Sequence, residues 1–298
     1  MISIVVCTRN RAGKLERMLE RFRSMSVPAG LEWEVLVVDN DSSDATTAVV
    51  AAAARESGAP VRYLFERRLG PSWARNSGVA AAKGDIVAFT DDDCLVDPSW
   101  LARLDHEFGA DPELGVVGGR VELNDPADRP VSVRVHRERV VIASLDQVMS
   151  LVIGCNLACR RRVFIDVGGF DILLGSGTSI PSAEDWDFAY RALRKGTKLL
   201  YSPEVLLFHD HGRRRDAEVD ALARQYIIGR WAFYFKHAMG FDGSVARVAA
   251  RDLRWLLSDV VRLRRSPRVL TPVLAGASAW RRALRSQRAR QQERRGRR

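Results

Sequence analysis

Three consecutive carboxylates, Asp91, Asp92 and Asp93, follow the apolar run Ile86-Val87-Ala88-Phe89-Thr90. A short unbroken hydrophobic run reads as a buried strand of a parallel sheet. Open α/β sheets bind ligands beyond the carboxyl ends of such strands. Asp91 and Asp93 stand two apart, so on extended backbone their side chains share one face. Two hard oxygen donors at a strand end suit Mg²⁺ or Mn²⁺, which take a few carboxylates together with substrate phosphates. The competing reading is an acidic turn that caps the following helix. Asp97-Pro98 already offers that helix an N-cap and a first-turn proline, which leaves the triple acid surplus and favours a metal–diphosphate site.

The elements that must position these acids alternate. Ile2–Cys7 reads as a strand, and Ala12–Met25 as a helix with Leu15, Met18, Leu19 and Phe22 at helical spacing. Trp33–Val38 is a second strand, closed by a polar turn, Asp39 to Asp44, that caps an Ala-rich helix ending near Ser57. Val61–Phe65, a helix over Pro71–Lys83 and the strand Ile86–Thr90 complete the pattern. Such alternation predicts βαβ units and an α/β, doubly wound, mostly parallel sheet. The turn after the first strand carries Thr8, Arg9, Asn10 and Arg11, with neither a G-x-G-x-x-G nor a Walker P-loop sequence, so dinucleotide oxidoreductases and P-loop enzymes are disfavoured. Asp39 ends the second strand, placed either to accept hydrogen bonds from a base or ribose or to serve ordinary turn chemistry.

Composition narrows the class. With 298 residues, 46% of them hydrophobic, the chain can bury one large or two small cores. The net charge of +10 is local: residues 281–298 hold nine Arg against one Glu, residues 251–268 six Arg against two Asp, and the first 250 residues are slightly acidic. The body shows no basic nucleic-acid motif, so nucleic acid is not an expected partner. Four cysteines, Cys7, Cys94, Cys155 and Cys159, fit neither a disulfide scaffold nor a zinc spacing. The short apolar start lacks the pattern of a signal peptide, and no run reaches the ~18 apolar residues of a membrane span. A cytoplasmic protein is the expectation.

Together the motifs resemble the family 2 glycosyltransferases, which have a GT-A (Rossmann-like) fold, use nucleotide-sugar donors and invert the anomeric configuration. The resemblance is carried by Val5–Arg11, Val37–Asp44, Gly70–Gly78, Gly84–Asp93, Gly154-Cys155-Asn156, Val167–Asp171 and Ala183–Asp187, and spans roughly residues 1–235. It implies a donor-binding half over 1–97 and an acceptor half over 98–235. Thr8, Arg9, Asn10, Asp39, Arg75, Asp91 and Asp92 would bind the donor, Arg75 neutralising diphosphate charge. Asp91 and Asp93 would be the family's D-x-D, with Asp93 the direct ligand of a Mg²⁺ or Mn²⁺ cofactor and Asp91 nearer the sugar or ribose. Such a metal offsets charge on the departing diphosphate.

The second half would serve the acceptor, a glycan, glycolipid or other hydroxyl compound. Ile153–Ala158 reads as a strand beside the donor sugar, with Asn156 either facing the acceptor or serving as a satisfied buried amide. Gly169, in the turn before the acceptor loop, and Trp186 would bind the acceptor, and the Gly- and Ser-rich stretch Gly175–Ser182 is expected to be a mobile loop that closes over substrate. An inverting transfer needs one general base. Asp185, the second residue of the family's E-D motif, takes that role by resemblance, supported by Glu184 and Asp187. In a first helical turn the same acids would also complement the dipole. His209 resembles the family's third metal-associated position, with His211 as a second candidate; the alternative is a hydrogen-bonded strand cap.

Residues 236–298 are expected to form a basic helical extension with a disordered Arg-rich tail. Val245–Leu263 mixes Trp255 and aliphatic residues with arginines at near-helical spacing. It would lie on an anionic membrane surface or pack as a helical subdomain. The expected function is inverting, metal-assisted sugar transfer for cell-envelope or other glycan synthesis. The alternatives are a polyprenyl-phosphate glycosyl synthase-like enzyme, a metal-dependent nucleotide-sugar phosphohydrolase, and a binding protein on an inactive scaffold.

Overall fold

A computed structural model describes residues 1–56, 59–240, 242–262 and 271–296. The chain forms two compact units, one of residues 1–171 with 185–215 and one of 172–184 with 216–298. The boundary expected at 235 falls inside a helix of the second unit, Asp216–Ala238.

The first unit holds a nine-stranded sheet. Its parallel half consists of β1 (Ile2–Thr8), β2 (Trp33–Asp39), β3 (Val61–Phe65) and β4 (Ile86–Asp91) in the order β3-β2-β1-β4. Helices α1 (Ala12–Arg23), α2 (Thr46–Arg55) and α3 (Pro71–Ala81) are the crossovers. Helix α2 ends at Arg55; Ser57, near which its end was expected, lies outside the described residues. Ile4, Val6, Val35 and Val37 are buried because strands covered on both faces are apolar throughout. Gly78 lets α3 approach the sheet: a Cβ there would stand 2.5 Å from Val5 Cγ1.

Beyond β4 the direction alternates. β8 (Leu157–Arg160) pairs antiparallel with β4 and with β6 (Leu114–Leu123), and β6 runs parallel to β9 (Lys198–His209). β5 (Cys94–Val96) and β7 (Val140–Ile142) flank β9 antiparallel. Helices α4 (Trp100–Ala110), α5 (Leu145–Leu151), α6 (Arg161–Val167) and α7 (Glu184–Arg194) complete the unit. Phe89, Phe164, Phe170 and Phe188 form a ring cluster with centroids 5.1–5.9 Å apart.

Two local expectations are corrected. Asp97 does not cap α4; its Oδ1 accepts from Ser99 N at 2.9 Å, a tight Asx turn, and the helix starts only at Trp100. Ile153–Ala158 is not one strand, because Gly154–Asn156 forms a 3₁₀ turn that turns the Asn156 amide into the core.

The second unit is helical: α8 (Asp216–Ala238), α9 (Gly243–Arg262) and α10 (Thr271–Gly296). Gly276 of α10 sits where a Cβ would come 2.5 Å from Trp231 Cβ of α8, so only glycine allows this approach. Arg230, Tyr234 and Asp252 lock α8 to α9, with Tyr234 donating to Asp252 at 2.6 Å and Arg230 2.7 Å from the same carboxylate. The arginine-rich end, expected to be disordered, continues α10 through Gly296; Ala, Arg, Gln and Glu are good helix formers. The stretch 175–182, expected to be a mobile loop, belongs to this unit and is anchored at both ends. Leu174 and Ile180 are fully buried beside Ala232 and Trp280, and Gly175 N donates to Ile180 O at 2.9 Å.

Candidate active site

Register places Thr8 beside Asp39 and Cys7 beside Asp91, so the loops after β1, β2 and β4 open from one line at the strands' carboxyl ends. Thr8 Oγ1 donates to Asp92 at 2.8 Å. Asn10, at a φ of +54°, accepts from Ser43 N at 2.7 Å and clasps the first loop to the second. Arg9 is exposed, its Nε 3.5 Å from Asp41 O. Asp39 is buried and accepts from Ser42 N at 2.9 Å and Tyr63 Oη at 2.8 Å, so the turn role is observed.

The three acids diverge. Strand β4 ends at Asp91 and the chain turns before β5, so the extended backbone that would align Asp91 with Asp93 is absent. Asp91 accepts from Arg75 at 3.0 Å. Asp92 accepts from Thr8 and from Arg11, the latter at 3.0 Å; burial pushes its carboxyl up to about 6, with Arg11 opposing. Asp93 receives Arg11 at 2.9 Å and lies 3.3 Å from His209 Nε2. Burial raises the Asp93 carboxyl, but the hydrogen bond and charge of His209, with Arg11 and Lys14, outweigh it and hold the group below the usual range. Burial likewise opposes the His209 cation, yet the Asp93 bond lifts it to about 9.

Asp93, Cys94 and His209 form a cluster whose ligand atoms all lie within 4.8 Å of one another. A carboxylate and an imidazole suit a Mn²⁺-class ion. The Cys94 thiol is pushed well up by burial, stays protonated and is a poor donor to a hard cation. Asp93 and His209 therefore fit a divalent cation, while Asp91 lies outside the cluster. His211 does not enter it: Nδ1 accepts from Arg213 N at 2.9 Å and lies 3.4 Å from Asp128.

Arg75 links the two halves of the site. It is buried, bonds Asp91, and lies against Gly154, where a Cβ would come 3.2 Å from its Nη2. Gly154 N donates to Asp185 at 2.8 Å. Asp185 lies in the first turn of α7; burial raises its carboxyl, while the Trp186 N–H bond and the nearby Arg75 and Arg134 charges pull it down without restoring the ordinary value. Glu184 is the first residue of the same helix. Trp186 donates Nε1 to Val152 O at 3.3 Å and stays half-buried.

Two residues expected to touch the acceptor serve the scaffold instead. Asn156 is 1% exposed, accepts from Trp100 Nε1 at 2.9 Å and donates to the carbonyls of Arg120 and Val205 at 2.8 and 2.9 Å. Its amide is spent on joining strands. Gly169 closes the turn after α6 at a φ of +72°, where a Cβ would stand 2.8 Å from Asn76 Oδ1. Asn76 in turn pins Phe170 through both its N–H and its carbonyl, each at 2.9 Å. Sequence reasoning missed Arg11 and Lys14 as partners of Asp93; their signal was position, two cations just past the carboxyl end of a central strand. Arg134 had none.

The fold and site define a GT-A glycosyltransferase class of architecture. Residues 3–168 match the family described as glycosyl transferase family 2, and the chain belongs to it. A pre-mycofactocin glycosyltransferase of Mycobacterium tuberculosis is 29% identical over 239 residues, covering 76% of this chain and 46% of that protein. The chain thus spans about half the length of that relative. The glycosyltransferase AglE of Haloferax volcanii is 28% identical, over 77% of this chain and 72% of its own. Among solved structures, the mannosyltransferase PcManGT of Pyrobaculum calidifontis, in complex with GDP-Man and Mn²⁺, superposes with a TM-score of 0.60 at 21% identity, covering 97% of this chain and 74% of that one. S. aureus TarS residues 1–349 with UDP-GlcNAc give 0.56 at 21% identity, covering 68% and 56%. At those identities the fold alone is shared.

Proposed function

We propose that the chain transfers a sugar from a nucleotide-diphosphate donor to a hydroxyl acceptor with inversion, Asp185 acting as the general base. The observation that carries this reading is the continuous chain of contacts from Asp91 through Arg75 and Gly154 to Asp185. Through it the Asp185 carboxylate is connected to Arg75 and Asp91, groups whose chemistry suits a metal-bound diphosphate. In the reaction the acceptor oxygen bonds to the anomeric carbon as the bond from that carbon to the diphosphate oxygen breaks. Its proton passes to the Asp185 carboxylate, whose raised proton affinity makes it a stronger base than an ordinary aspartate. Arg75 and Arg11 stabilise charge on the leaving diphosphate. A divalent cation held by Asp93 and His209 would add to that charge compensation. Arg9, Asn10 and Asp39 border the donor cleft, and Trp186 offers a ring face to the acceptor. That relatives are named for glycan and glycolipid synthesis supports a similar acceptor class here.

A thermal-shift screen of UDP, GDP and dTDP sugars, each with Mn²⁺ or EDTA, tests the reading. A ligand that binds the folded state raises the melting temperature. A shift with one nucleotide that vanishes with EDTA is expected; no shift with any of them would refute a metal-bridged donor site. Product analysis with water as the sole acceptor separates transfer from phosphohydrolysis.

Among the described residues no helix is long and apolar enough to cross a membrane. The exposed face of α9 nonetheless carries Arg247, Arg251, Arg254, Leu257 and Trp255, the last 70% exposed. That combination supports docking on an anionic bilayer.

A further inference from the structure

We infer that the acceptor carries an anionic group, a carboxylate or a phosphate, bound in the cavity between the 133–137 segment and α5. This rests on the glycosyltransferase reading and names its acceptor class. The cavity, of about 750 Å³, is lined by Val133, Arg134, His136, Arg137, Val140 and Leu151 among others, with no acidic side chain in its wall. The segment is held firmly. Arg134 pairs with Val121 of β6 through both its backbone N–H and its carbonyl, at 2.9 Å each. Tyr201 Oη donates to His136 O at 2.8 Å, and the two rings lie 5.8 Å apart. Arg134 and His136 are thus presented from rigid backbone rather than from a free loop.

Arg134 is the unusual group. Its Nη atoms donate to the carbonyls of Val133 and Val152 at 2.8 and 3.2 Å, while its buried Nε finds no acceptor among the described residues. Among the described residues the guanidinium touches carbonyls and no carboxylate directly, Asp185 feeling its charge only at longer range, and aliphatic walls strengthen its attraction for an anion. Arg137 lies at the rim, 3.4 Å from Glu122. The cavity also adjoins the chemistry: Ser150 and Leu151 line it, and the chain continues directly into Val152, which accepts from both Arg134 and Trp186, and Gly154, which holds Asp185. Arg134 is one of the charges that pull the Asp185 carboxyl down. One small molecule can therefore set a hydroxyl at Asp185 and an anion at Arg134.

Paired probes test this on the full chain with donor and Mn²⁺ present: methyl β-glucuronide against methyl β-glucoside, and glycerol 3-phosphate against glycerol. Calorimetric titration should show the charged member of at least one pair binding about tenfold or more tightly, as hydrogen bonds to charged groups predict. The arm that discriminates names the anion. Arg137→Gln, at an exposed rim position, should reduce the preference several-fold, and Arg134→Gln should abolish it, both with the donor-induced melting shift intact. Equal affinity within both pairs, or an undiminished preference in a folded Arg134→Gln protein, overturns the proposal. Competition between the charged probe and free nucleotide diphosphate would also overturn it, by giving the cavity to the donor. If no nucleotide sugar shifts the melting temperature, the parent reading fails and the acceptor assignment falls with it, whatever the anion preference.

Discussion

Nε2 of His209, at the end of β9, lies 3.3 Å from Oδ1 of Asp93, in the turn between β4 and β5. The two form an ion pair when His209 is protonated, and the same atoms are those proposed to hold a divalent cation. Because His209 is lifted to about 9, a bound cation must displace its proton. Mn²⁺ affinity should therefore strengthen as pH rises from 6.5 toward 9, with proton release detectable by calorimetry in buffers of differing ionisation heat. His209→Gln should remove both the proton release and most of the pH dependence.

The same pair makes a stability prediction in the metal-free protein. His209 is raised above its ordinary 6.5, so its contribution is complete below that pH and lost as pH climbs through about 9. Asp93 is lowered, so its contribution is present above 3.8 and lost only in strong acid. Melting temperature in EDTA should fall between pH 6.5 and 9, and should fall less in His209→Gln.

Asp185→Asn keeps the shape of the side chain and its bond from Gly154 but removes the base. Transfer should drop about 10²–10⁴-fold, with the donor-induced melting shift retained. In the native enzyme kcat should decline as pH falls through a value above the ordinary 3.8 of an aspartate, since the carboxyl is raised and only its ionised form accepts a proton. Turnover near the native rate in the Asn variant would remove the residue from the mechanism.

Arg75→Ala leaves Asp91 without its 3.0 Å partner and takes a buried cation from the donor side. Hydrogen bonds to charged groups are worth about 1.5–3 kcal/mol, so the donor dissociation constant should rise roughly 10–100-fold. Calorimetric titration with the nucleotide sugar identified by the thermal screen measures it; a change below threefold would count against a diphosphate contact.

Asn156→Ala separates scaffold from site. It leaves Trp100 Nε1 and the carbonyls of Arg120 and Val205 without their partner in the core. Each orphaned group costs about 1–3 kcal/mol, so urea unfolding should show a loss of at least about 3 kcal/mol. Because the Asn156 amide is buried and fully engaged in the core, acceptor KM should change little for whatever fraction stays folded.

Liposome flotation addresses α9. Trp255→Ser with Leu257→Ser in the full chain should reduce recovery with anionic vesicles, because exposed apolar side chains supply the insertion term. Equal flotation of variant and native protein would leave no role for this face.

The alternation of apolar runs with amphipathic helices was enough to read β1 to β4, α1 to α3 and the line of strand ends at which ligands bind, since those elements depend on local periodicity. The acids at Asp91 to Asp93, and Asp185 as the proposed base, were legible as residue types in a chain order. What each acid faces was not. Asp91 and Asp93 part company because a turn follows β4, and their partners come from α3, from the loop after β1 and from the far end of β9. The role of Asn156 was equally hidden: a polar residue in an apolar run looks the same whether it greets a substrate or ties strands together. Periodicity reports which face a residue takes within its own element; the identity of the atoms opposite depends on contacts between segments distant in sequence, and only the tertiary structure decides those.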